Sequence, residues 1–186
     1  MNCPSKATLP AALSLAAMFL CVTIVLSATR LRAGAPPGIA VQIGVPIATF
    51  HAEGSQIYQC ERVSEKGLEW QARELIATLI SDGETVGRQY SGQHWGHVDP
   101  GIFGWEHRDG SRVQAKVAAS VAAAASDDVP WLRLNVTSQN GDGALYGVTA
   151  VQRINTRGGT VGGPCDQEGN YRSVPYSADY VFWRED

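Results

Sequence analysis

From Ile47 onward, apolar and polar residues alternate in short runs broken by Gly, Asp and Asn. That is the period of a strand with one dry and one wet face. Trp131 to Ser138 shows it most clearly, with Leu132, Leu134 and Val136 opposed to Arg133, Asn135 and Thr137. Ser111 to Ala118 sets Val113, Ala115 and Val117 against Arg112, Gln114 and Lys116, and Arg108-Asp109-Gly110-Ser111 just ahead supplies an Asp-Gly hairpin signal. Leu68 to Ile80 predicts one or two strands ending at Ser81-Asp82-Gly83. Tyr176 to Trp183 predicts a closing strand with Tyr176, Ala178, Tyr180 and Phe182 on one face. The alanine run Ala118 to Ala125 suits two helical turns, but Asp127 and Asp128 would then sit at the negative end of the helix dipole, so a strand leading into a loop is expected. With no amphipathic helices between the strands, the pattern predicts an all-β fold, an antiparallel β-sandwich or β-barrel.

The first thirty-five residues depart from this pattern. Lys6 is followed by an uncharged stretch from Ala11 to Ala28, then by Arg30 and Arg32. This is the layout of an export signal over residues 1–35, with an uncleaved membrane anchor as the alternative. Residues 36–186 then form a single β domain, secreted or periplasmic, about the size that supports its own core. Loss of Lys6, Arg30 and Arg32 leaves 12 basic against 18 acidic residues, a net charge of −6. Nucleic acid is thereby excluded as a partner, because phosphate binding needs clustered Lys and Arg. Membrane contact is confined to the N-terminal segment, if that is retained. Of four cysteines, Cys60 and Cys165 remain beyond the signal, and an even pair in an oxidising compartment predicts one disulfide.

Five ordered blocks carry a resemblance. They are Gln56-Ile57-Tyr58-Gln59-Cys60; Trp105-Glu106 with Asp109-Gly110-Ser111; Val129-Pro130-Trp131-Leu132; Gln152-Arg153-Ile154-Asn155-Thr156-Arg157-Gly158-Gly159; and Val174-Pro175-Tyr176 with Ala178-Asp179-Tyr180. Together they resemble domain of unknown function 3455, a family of secreted proteins, across essentially all of the chain after the signal. The resemblance implies export, a β-rich fold and a cysteine pair, and it implies no activity. One region differs. Relatives run from a Gly-Thr-His-Tyr-Ala-Gly-Pro-like stretch almost directly into Trp-Glu, whereas here Gln89 stands in the histidine's place and an insertion, Gln93 to Gly104, follows.

Few residues point to chemistry. His94, His97 and His107 lie near Asp99 and Glu106, a spacing compatible with zinc or copper, although exposed loop histidines are the better account of a Gly- and aromatic-rich insertion with no second cluster. Trp95, Phe103, Trp105 and Tyr90 could offer flat faces to a sugar or an apolar ligand. Gln152 falls on the apolar face with Tyr146, Val148, Ala150 and Ile154, where a buried amide must find partners or face a cavity. Arg153, on the opposite face, is expected to pair with Asp179. His51 reads as structural. Among the acids Glu74, Glu106 and Asp109, no two are spaced as a hydrolytic pair. Gly141-Asp142-Gly143 with Gly147 has the wrong spacing for a dinucleotide fingerprint. Gly-x-Ser-x-Gly and P-loop motifs are absent. Asn135-Val136-Thr137 is an acceptor pattern for glycosylation in a eukaryotic secretory pathway.

The expected function is therefore a non-catalytic β domain that binds a small-molecule or saccharide-like ligand or an envelope component. Trp105, Glu106, Gln152, Tyr176 and Tyr90 are its candidate contacts, and no cofactor is implied. The competing reading is a carboxylate-based hydrolase or isomerase using Glu106. A weaker one is a metal-binding protein through His94, His97 and His107.

Overall fold

A computed structural model of the chain describes residues 35–92 and 101–186. After a short 3-10 turn, Pro37–Ile39, the strands follow in chain order: β1 Val45–Val63, β2 Gly67–Ser81, β3 Glu84–Gly92, β4 Ile102–His107, β5 Arg112–Val121, β6 Trp131–Asn140, β7 Val148–Gly158 and β8 Tyr171–Arg184. Each strand pairs antiparallel with its chain neighbour, and β8 returns to pair with β1 from Val45↔Arg184 to Gln59↔Tyr171, closing an eight-stranded barrel. Closure removes both sheet edges, so every strand has a ladder partner on each side.

Alternation selects what faces inward. Leu132 and Leu134 from β6, Val113 and Ala115 from β5, and Tyr176, Ala178, Tyr180 and Phe182 from β8 all enter the core. The outer face carries Glu53, Arg88, Glu106, Arg112 and Lys116, none of them buried. Val117 is 46% exposed although in register with the core residue Leu134, at the start of a bulge between Val117 and Ala119. Tyr146 is likewise 58% exposed, since it lies in the turn ahead of β7.

One end of the barrel is closed by short turns. Asp109, in the β4–β5 turn, accepts hydrogen bonds from the Ser111 N–H (2.8 Å), the Ser111 hydroxyl (2.6 Å) and the Ala144 N–H (2.7 Å). The Ser111 hydroxyl oxygen in turn accepts from the Leu145 N–H at 3.2 Å. Two turns are thus tied together by one carboxylate. These donors, the Ser111 hydroxyl foremost, hold the Asp109 carboxyl well below the usual carboxylate range.

The opposite end carries the long connections of residues 122–130 and 159–170. Here the Cys60–Cys165 disulfide joins β1 to the β7–β8 connection, across 105 residues. The backbone repeats the link, because Cys60 N–H donates to Asn170 O and Gly169 N–H to Cys60 O. The insertion seen in the sequence is partly structural: Phe103 and Gly104 pair with Ser91 and Tyr90 of β3 and extend β4 beyond Trp105-Glu106.

Candidate functional site

Two residues of β7 lie on the sides opposite to those expected, and this inversion defines the barrel's interior. Val148 pairs with Arg184 and Ala150 with Trp183, so Thr149 is an extra residue and the alternation flips beyond it. Val148 and Val151 both face the core as a result. Arg153 then points inward, in register with Leu132 and Tyr180, and Gln152 points outward, in register with Arg133 and Val181.

Gln152 is satisfied outside the barrel. It is 2% exposed, covered by the N-terminal segment, and its Nε2 donates to Ile39 O at 2.7 Å. The expected Arg153–Asp179 pair is absent. Asp179 Oδ1 instead meets His51 Nδ1 at 2.9 Å, and its Oδ2 accepts from Asn155 Nδ2 at 2.8 Å. His51 therefore belongs to a latch across β1, β8 and β7. Asn155 takes a left-handed φ of 53° at a second β7 bulge, a conformation Asn tolerates well.

Arg153 is 5% exposed, and its Nε and Nη2 both donate to Pro130 O, at 3.1 and 2.8 Å. Its guanidinium stands 5.6 Å from the Phe103 ring and 5.9 Å from the Tyr176 ring. The Tyr176 and Tyr180 hydroxyls lie 2.8 Å apart, and burial pushes both phenols above their ordinary pKa, so both stay neutral. Trp105 packs edge-on against Tyr180 and Phe182, with centroids 5.2 and 5.8 Å away, and lies 6.3 Å from Phe103. Gln89, in register with Trp105, is completely buried.

This cluster leaves polar atoms unpaired. Among the described residues, the buried side-chain atoms without a hydrogen-bond partner are Arg73 Nε, Trp183 Nε1, Trp105 Nε1 and both amide atoms of Gln89. Three of the five thus fall on the adjacent Gln89–Trp105 pair. Such groups normally find a protein or water partner, because leaving one bare costs about 1–3 kcal/mol.

The candidate contacts read from sequence divide between the two sides of the wall. Trp105 and Tyr176 both lie in the interior. Glu106 lies outside, where its Oε2 accepts from Arg88 Nε (3.1 Å) and Nη2 (2.7 Å) and its Oε1 from Arg112 Nη2 (3.1 Å). The Arg88 hydrogen bond, with Arg112 behind it, lowers its pKa and keeps it ionised. Tyr90 also faces outward and lies over Gly104, where a Cβ would come within 2.4 Å of its ring. His94, His97, Trp95 and Asp99 lie outside the described residues. His107 is at the turn end, stacked on Phe50 at 5.6 Å and 2.8 Å from Asp109 Oδ2. Among the described residues, no group of three or more His, Cys, Asp or Glu could hold a metal ion.

A family model described as "Protein of unknown function (DUF3455)" matches residues 42–184. The chain belongs to the DUF3455 family. No curated protein and no solved structure matches it. The geometry explains several of the blocks that carry the DUF3455 resemblance, because they bond to one another. Arg153 and Thr156 donate to the carbonyls of Pro130 and Val129, Asn155 donates to Asp179, and Tyr58 donates to Gly159 O at 2.6 Å. Gln89 and Arg153 are the two interior groups that the sequence did not single out as contacts. Gln89's signal was its place in a stretch where relatives carry histidine, and Arg153's side is set by a bulge that leaves no mark in composition.

Proposed function

We propose that this DUF3455 protein is exported to the periplasm or beyond and serves as a non-catalytic barrel that binds a small molecule in its interior. The observation that carries the reading is the buried Gln89–Trp105 pair with its amide and indole N–H unpaired, set among the rings around Arg153. An eight-stranded barrel is just wide enough for its own side chains to fill or for one small ligand, and a few placed polar groups among aromatic faces are the usual composition of a binding site. The disulfide fits an oxidising compartment.

The geometry of Glu106 favours binding over hydrolysis, because both its oxygens are already engaged by arginines on the outer face. A general acid must carry its proton near neutral pH, and these partners remove it. Native mass spectrometry of the protein purified from its own envelope tests the proposal. A small organic molecule should accompany the folded protein and leave on unfolding. Protein that carries no such molecule, and that no member of a solute library stabilises against heat, would overturn it.

A further inference from the structure

The interior cluster is rich in donors, and its acceptors are all neutral. Trp105 Nε1–H and the two N–H groups of Gln89 have no acceptor. The Tyr176 and Tyr180 hydroxyls share a single hydrogen bond, so one O–H proton is left over. Arg153 has five N–H donors; its Nε and Nη2 bond to one carbonyl oxygen, and its guanidinium also faces the Tyr176 and Tyr180 hydroxyl oxygens. The acceptors in reach, Gln89 Oε1 and the two phenol oxygens, are all neutral.

Charge is unbalanced in the same direction. No Asp or Glu among the described residues lies within ion-pair distance of Arg153. A buried cation without a counter-charge is costly, and a planar guanidinium is matched best by a carboxylate. Arg153 and Trp105 both flank Phe103, at 5.6 and 6.3 Å, and both neighbour Tyr180.

Building on the interior-binding proposal, we infer that the ligand is a small organic carboxylate. Its oxygens accept from the Arg153 guanidinium and from the Trp105 indole N–H, and its apolar body lies against Phe103 and Tyr176. An inorganic anion would meet the charge but leave the rings unused. A neutral ligand would leave the charge uncompensated.

The test is a titration of ¹⁵N-labelled protein with benzoate, benzamide and sulfate, following the Trp105 indole N–H resonance assigned from Trp105→Phe. Benzoate should shift that resonance downfield and bind at least about tenfold tighter than benzamide, as a charge-assisted contact requires. Sulfate should neither shift the resonance nor displace benzoate. Arg153→Gln should erase the preference for benzoate. If that variant does not fold, Arg153→Lys, which keeps the charge without the fork, should lose most of it. Equal affinity for benzamide would overturn the carboxylate inference while leaving interior binding intact, and so would displacement of benzoate by sulfate. If no titrant moves the resonance and the indole N–H instead exchanges with resident water, both proposals fail.

Discussion

Replacing both Cys60 and Cys165 by alanine removes a cross-link that spans 105 residues. In the chain-entropy description, a loop of that length restricts the unfolded chain by about 4.7 kcal/mol at 25 °C. On the folded side the loss is smaller, because the Cys60 backbone bonds to Gly169 and Asn170 keep the β7–β8 connection docked without the sulfur bridge. The barrel should therefore still form, with nearly all of the change arising in the unfolded state. Urea unfolding of the oxidised protein and of the double variant should differ by about 4 kcal/mol. The m-value of the variant should be larger, because an unbridged chain exposes more surface. At roughly 2–4 °C per kcal/mol for a domain of this size, the melting temperature should fall by about 8–16 °C. A folded double variant within about 1 kcal/mol of the parent, at unchanged m-value, would refute the reasoning. So would free thiols at Cys60 and Cys165 in the parent protein, located by alkylation and peptide mapping.

Three further outcomes follow from particular contacts. Asp109→Ala should cost about 2 kcal/mol at pH 7, because it strips acceptors from the Ser111 and Ala144 N–H groups. Since folding lowers the Asp109 pKa, its contribution is fully present above the unfolded value near pH 4 and disappears as pH falls through the lower folded value, so urea unfolding from pH 7 to pH 2 should show the gap closing. Glu106→Gln should change stability by less than about 1 kcal/mol, because Arg88 and Arg112 are both more than half exposed, and native mass spectrometry should show ligand retention unchanged. Gly54→Ala should destabilise by about 3 kcal/mol or more, or prevent folding, because the new Cβ would stand 1.9 Å from the Ile76 carbonyl oxygen, which the β1–β2 ladder holds in place; thermal melting checks it.

Much of the wall was legible in the alternation of residues. Leu132, Leu134, Tyr176, Tyr180 and Phe182 lie inside as their period requires, because a ladder without irregularity preserves period two. What the sequence concealed was each place where the ladder slips. The extra residue Thr149 exchanged the sides of Gln152 and Arg153. A bulge depends on how two strands meet rather than on the composition of either, so a single strand read alone carries no sign of it. The candidate site was half legible for the same reason. Trp105 and Tyr176 precede or avoid these slips, whereas Arg153 lies beyond one.

The molecule itself shows how it treats arginines that serve only the wall. Arg88 and Arg112 converge on Glu106, Arg73 meets Glu61 at 3.1 Å and Arg62 meets Glu168 at 3.3 Å. Others without an acid, such as Arg108, Arg157 and Arg184, are exposed to water, which solvates them. Arg153 follows neither pattern. It is the buried arginine among the described residues, and it faces a carbonyl, two phenols and a phenyl ring instead of a carboxylate. Moving a guanidinium out of water without a counter-charge is the arrangement a stable core avoids, and a nonpolar residue at that position would pack at lower cost. The bulge that turns this residue inward therefore works against stability alone. On the proposed reading, the missing negative charge is supplied by a ligand carboxylate.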